Sequence, residues 1–216
     1  MDTKKEKAPE IMLPEGRITF QALFVKDQYN EQAAPAYKIE LAFEKGALDR
    51  INDQMLDFAN DTWGAGAEDS VVLPIKDGDV MAKKKEDNGK EGEAYKGMDV
   101  LRANTIYNKH GENGPGGISV YSPDGETEIG IANQSEMYSG CYGIAAVTFK
   151  EYTQEDPRTK ETYNGITLYL VAVQKTRDGE RLIAQQDRSK LFKPVGRTAP
   201  NPETGEEGSK RSRRKG

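Results

Sequence analysis

SGCYGIAAVTFKEY (139–152) and YNGITLYLVAVQK (163–175) decide how this chain is read. In the first stretch Cys141, Gly143, Ala145, Val147 and Phe149 fall on one face. In the second Ile166, Leu168, Leu170 and Ala172 fall on one side, with Thr167, Tyr169, Val171 and Val173 on the other. A two-residue period of this kind is the mark of a half-buried strand. The intervening TQEDPRTKET is polar and turn-rich, so the two strands pair as an antiparallel hairpin.

Working outward, RITFQALFVK (17–26) alternates with Ile18, Phe20, Ala22 and Phe24 together. AYKIELAF (36–43) sets Tyr37, Ile39, Leu41 and Phe43 against Lys38 and Glu40. DVLRANTIY (99–107) and a short stretch near Ile118–Tyr121 supply further strands, with Tyr107 on the core side. Between 46 and 63 the period lengthens: Leu48, Ile51, Met55, Phe58 and Thr62 follow helical spacing, and Gly64–Gly66 ends the helix. Residues 64–98 read as a long loop. The expected architecture is mainly β: an OB-fold-like, partly open antiparallel β-barrel over 16–192 with one inserted α-helix, a platform that often binds nucleic acid. A flexible charged arm over 1–15 precedes it, and residues 181–192 allow a short terminal helix. A disordered basic tail over 193–216 follows, because Pro, Gly, Glu and Arg dominate there and no period survives.

Composition limits the chemistry. Net charge is −5 over 216 residues. The tail holds seven Lys/Arg and three Glu, which leaves 24 basic and 33 acidic residues over 1–192. An acidic body argues against coating DNA by charge alone but leaves room for a local basic groove. One cysteine, Cys141, fits a reducing cytoplasm and excludes an internal disulfide. No apolar run approaches the ~20 residues of a membrane span. With one histidine, His110, in a glycine-rich loop, neither a zinc site nor a histidine-based triad is available. No cofactor is expected. Asp77 and Asp79 keep a metal-dependent nuclease as the alternative, although DGD is an ordinary turn sequence. A non-catalytic structural role is a third reading.

What remains is aromatic residues beside cations, the pattern that holds single-stranded DNA by stacking and phosphate contacts. Tyr138 and Tyr142 bracket SGC, with Tyr142 opposite the core face. Arg102 stands opposite Leu101 and Ala103, and Lys96 lies just before that strand. Trp63 ends the helix as either a stacking ring or the cap of its apolar face.

The motifs YKIELAF (37–43), TWG (62–64), LPIKDGD (73–79), YKGMDVLRAN (95–104), EMYSGCYGIAAVTFKEY (136–152) and NGITLYLVAVQKTRDGERL (164–182), in this order, resemble a family of single-stranded-DNA-binding proteins of tailed bacteriophages. The resemblance implies an OB-fold variant and a sequence-tolerant, non-enzymatic role in phage DNA replication or recombination in the host cytoplasm. It implies a groove using Tyr142, Tyr138, Arg102, Lys96, Trp63, Lys76 and Tyr152. Single-stranded DNA would be the partner, with duplex DNA a weak second ligand and phage replication proteins as further partners. Members often end in an acidic tail, whereas this chain ends GSKRSRRKG.

Overall fold

Strand β3 (Ala36–Glu44) shows how the barrel is built, because it lies between two neighbours and is covered on both faces. Tyr37, Ile39, Leu41 and Phe43 point inward and are buried. The computed structural model describes residues 9–28 and 30–182. Within them run β1 (Ile11–Met12), β2 (Gly16–Asp27), β3, α1 (Asp49–Trp63), β4 (Lys76–Asp77), α2 (Gly78–Asp87), β5 (Met98–Thr105), β6 (Ser119–Tyr121), β7 (Tyr142–Glu155) and β8 (Thr162–Arg177).

Pairing runs β7–β2–β3–β5–β8, and β8 pairs again with β7, so five strands form a ring. An odd ring cannot alternate direction all the way round. The exception falls at β5–β8, which pair in parallel through Ala103 with Leu168 and Asn104 with Tyr169. Edge strand β6 is also parallel to β8. The β2–β7 seam is equally short, Gly16 with Gly143 and Arg17 with Tyr142. These two brief seams leave the barrel partly open, while the β7–β8 hairpin is paired from Tyr142–Arg177 to Glu155–Thr162. Helix α1 buries Ile51, Met55 and Ala59 against the main core.

Four expectations are corrected. Phe20 is not inward: register shifts between Ile18 and Phe20, so Thr19 is buried and Phe20 is 40% exposed. In β8 a shift opposite Ala146/Val147 swaps the inward side, and Val173 is buried where Ala172 is only half-buried. Tyr107 lies just past β5 and is exposed. The inserted segment holds a second helix, α2, where a loop was expected. The Asp77 carboxylate accepts the N–H groups of Asp79 (2.7 Å) and Val80 (3.3 Å), which caps its N-terminus. Ala82 then packs with Tyr95, Ala42 and Val100 on the outside of the sheet.

The arm is partly ordered: Ile11 and Met12 pair with Val147 and Ala146, and Leu13 is buried. The basic tail over 193–216, and all but the first two residues of the helix allowed over 181–192, lie outside the described residues. Among the described residues no helix is long and apolar enough to cross a membrane.

Candidate nucleic-acid interface

Tyr142 opens β7, in register with Arg17 of β2 and Arg177 of β8. The Arg177 guanidinium carbon lies 3.3 Å from the centre of the Tyr142 ring. Tyr138, just before the strand, carries the Arg181 guanidinium at 3.9 Å and the Lys175 ammonium at 5.4 Å. Its hydroxyl donates to Asp178 Oδ1 (2.9 Å) and accepts the Gly179 N–H (3.2 Å). The Asp178 carboxyl is held below its ordinary pKa by hydrogen bonds from Lys175 and Tyr138. Arg181 has no carboxylate partner among the described residues and keeps its donors for phosphate, whereas Arg177 Nε donates to Glu15 Oε1 at 3.0 Å.

This arrangement exists because residues 178–182 are strapped to the start of β7. The Leu182 N–H donates to the Ser139 carbonyl (2.9 Å), and Arg17 Nη2 donates to the Glu180 carbonyl (3.1 Å). Gly140, at φ +116°, permits the approach, since a Cβ there would collide with the Glu180 carbonyl oxygen.

Arg102 stands on the outer face of β5, but its charge is already engaged. Nε donates to Glu40 Oε2 at 2.9 Å, and Nη2 contacts the same oxygen. Glu40 is 2% exposed and also accepts from Thr19 Oγ1 (2.8 Å) and the Tyr95 hydroxyl (2.6 Å). Burial alone would raise its pKa; the Tyr95 and Arg102 interactions outweigh that and lower it. The Tyr95 hydroxyl is pushed up by burial and by its bond to Glu40. Lys76 lies close enough to feel Arg102 and Lys84. Desolvation and those two charges lower its pKa, and no carboxylate lies within ion-pair distance among the described residues. Lys96 is paired with both Glu93 (2.9 Å) and Glu86 (3.1 Å).

A groove of about 600 Å³ lies between the 178–182 strap and the segment after α2. Arg181 lines it and stacks on Tyr138; Tyr95 also lines it and binds Glu40, which holds Arg102. Tyr138 thus borders the groove through Arg181, and Arg102 reaches it through the buried Glu40–Tyr95 contact; Tyr142 and Lys76 do not line it. Trp63 is half-buried and packs on the main core. Tyr152 sits out on the hairpin over Gly165, edge-on to Tyr163 at 6.3 Å. Neither joins that chain of contacts. Arg177 and Arg181 are the residues that sequence reasoning missed. Their signal was two arginines flanking the Asp178–Gly179 turn, directly after the strand that pairs with Tyr142.

Asp77 and Asp79 are occupied structurally. Asp77 caps α2 and faces Lys45 (3.4 Å), and Asp79 Oδ1 accepts the Gly97 N–H (2.8 Å). Among the described residues no three His, Cys, Asp or Glu gather as a metal site.

The single-stranded DNA-binding protein from bacteriophage Enc34, solved in complex with ssDNA, is 24% identical. That match covers 81% of this chain and 89% of that one, with a TM-score of 0.58. The gp2.5 single-stranded DNA-binding protein encoded by bacteriophage T7 is 12% identical. It covers 90% of this chain and 100% of that one, with a TM-score of 0.54. At such identities the likeness is one of fold. No curated protein matches the sequence. The family model described as "Enterobacter phage Enc34, ssDNA-binding protein" matches residues 9–200, and this chain belongs to that family.

Proposed function

We propose that this protein is a non-catalytic, sequence-tolerant single-stranded-DNA-binding protein that acts in phage DNA replication or recombination in the host cytoplasm. The observation that carries the reading is the pair of guanidinium–tyrosine contacts, Arg177 on Tyr142 and Arg181 on Tyr138, with Arg181 also lining a groove that holds Arg17, Lys85 and Lys90. A base stacks at Tyr142, with Tyr138, which also packs on the main core, beside it, while Arg102 and Lys76 follow the phosphates. Family membership supports the same ligand. Lys96 already serves two carboxylates and Trp63 closes the core, so both are secondary contacts; Tyr152 extends the path along the hairpin.

The tail over 193–216 adds sequence-independent attraction through Lys210, Arg211, Arg213, Arg214 and Lys215. Its removal should weaken single-strand and duplex binding at low salt and leave binding near saturating salt unchanged. Tighter binding on removal would make the tail an internal shield.

The deciding experiment is an anisotropy titration of the full chain with labelled oligo-dT in the absence of metal, repeated with magnesium on a gel. Saturable, salt-sensitive binding with no cleavage is expected. Absence of binding would overturn the reading, and magnesium-dependent cleavage would restore the nuclease alternative.

A further inference from the structure

Some cations have a carboxylate partner, such as Lys38 with Asp27 (2.8 Å), Lys45 with Asp99 (2.9 Å) and Lys109 with Glu128 (2.7 Å), and others, such as Lys26, Lys84 and Lys150, have none within ion-pair distance among the described residues. What sets the groove apart is that four cations of the second kind converge on it. Arg17, Lys85, Lys90 and Arg181 line it, and none has a carboxylate oxygen within 4.0 Å among the described residues. Three of them are held by neutral groups. Lys85 sits 4.4 Å over the Tyr95 ring, Arg181 lies on Tyr138, and Arg17 donates to the Glu180 carbonyl. The Lys90 backbone N–H donates to the Lys85 carbonyl (2.9 Å), which folds the loop after α2 back toward the groove. Of the lining carboxylates, Glu93 is taken up by Lys96, and Glu91 and Glu180 remain.

Four positioned cations against two lining carboxylates that no lysine or arginine pairs leave an excess of positive charge, which favours anions. The one aromatic lining residue, Tyr95, is buried and its hydroxyl is bound to Glu40, so it offers no platform for a base. The geometry points to the groove as a phosphate channel in which Arg17, Lys85, Lys90 and Arg181 grip the backbone of a single strand whose bases stack at Tyr138 and Tyr142. This rests on the single-stranded-DNA reading above. It gives the α2 insertion a role: the helix and its following loop form the second wall of the channel, and the lysines after Ala82 supply its charge.

The test uses the full chain, labelled oligo-dT and an abasic oligomer of the same length, across a salt series. Two lost phosphate contacts lower the single-strand salt slope by about 1.4. Lys85→Ala/Lys90→Ala should therefore lose affinity on the order of 20-fold at 0.1 M salt, a loss that vanishes toward 1 M. The abasic oligomer should show the same loss. Glu91→Gln removes a lining carboxylate and should tighten binding at 0.1 M by roughly 5-fold, a gain that misfolding cannot mimic. If the unaltered chain fails to bind oligo-dT, the functional reading itself falls. If it binds but neither substitution moves the salt slope, only the channel is overturned. A loss on oligo-dT that is absent on the abasic strand would also overturn it, because the lysines would then be reading bases.

Discussion

Arg102 and Arg177 each meet a glutamate, yet the two sites put the guanidinium to different use. On the outer sheet face, Arg102 closes onto Glu40, whose side chain is 3% exposed and which also ties down Thr19 and Tyr95. At the barrel end, Arg177 meets Glu15 at 2.9 Å, but that carboxylate is 39% exposed and the guanidinium carbon lies 3.3 Å from the centre of the Tyr142 ring. A buried carboxylate fixes the architecture around it, whereas an exposed one is screened and its partner stays available to a ligand. One arginine belongs mainly to the fold and the other mainly to the interface.

The largest effect should come from breaking the buried site. Glu40→Ala leaves Thr19, Tyr95 and Arg102 without their shared acceptor. Losing one partner of a buried pair costs about 3–5 kcal/mol, reduced here to about 2–4 kcal/mol because half of Arg102 is solvated. Urea denaturation measures this directly, and an unchanged midpoint would sink the contrast. The pH dependence follows from the lowered Glu40 pKa. Its contribution is complete above the ordinary value of 4.5 and is lost as pH falls through the depressed value. Glu40→Gln should flatten that acid limb.

Next in size is the barrel end. Tyr142→Ala should weaken oligo-dT binding by about 1–3 kcal/mol while the chain still melts cooperatively. Undiminished affinity would remove Tyr142 from the interface, and a collapsed melt would move it into the core. Smaller again is a paired comparison of salt slopes. Arg181→Ala should lower the slope by about 0.7, the single-strand value per phosphate contact. Arg102→Ala should lower it by less, because Glu40 already neutralises that charge. Equal slopes for the two variants would erase the distinction drawn above. The smallest effect is expected for Glu15→Gln, with no resolvable change in melting temperature, as befits an exposed pair.

Much of this was legible in the residues. The alternation of β3, the inward face of β7 from Cys141 to Phe149 and the spacing of Ile51 and Met55 are periodic signals carried by apolar side chains. What escaped had no such signal. Helix α2 buries only Gly78 and Ala82, so its helical period is nearly invisible, and its Asp77 cap looks like a turn. β1 spans two residues, too few to show a period. The bulge that exposes Phe20 and the shift that turns Val173 inward depend on pairing partners, not on local sequence. The candidate site was legible as residue types, Tyr138 and Tyr142 above all. It was not legible as geometry, because the contact of Arg177 with Tyr142 follows from the hairpin register, and the engagement of Arg102 follows from a glutamate 62 positions away.

The short seam between β2 and β7 also sets a timetable. Glu15 reaches Arg177 across 162 positions and Arg17 reaches Glu180 across 163, so the interface joins the two ends of the described chain. The β7–β8 hairpin forms from neighbours in sequence, whereas ring closure must wait for contacts of very long range, which form slowly. On a ribosome, β2 emerges early and remains without its β7 partner until Tyr142 and Gly143 have been made. The Tyr142–Arg177 contact comes with the hairpin, in which the two residues are paired, whereas Glu15 and Arg17 reach Arg177 and Glu180 only when that gap is closed, so the first half of the chain braces the tyrosine end of the hairpin after the hairpin itself has formed.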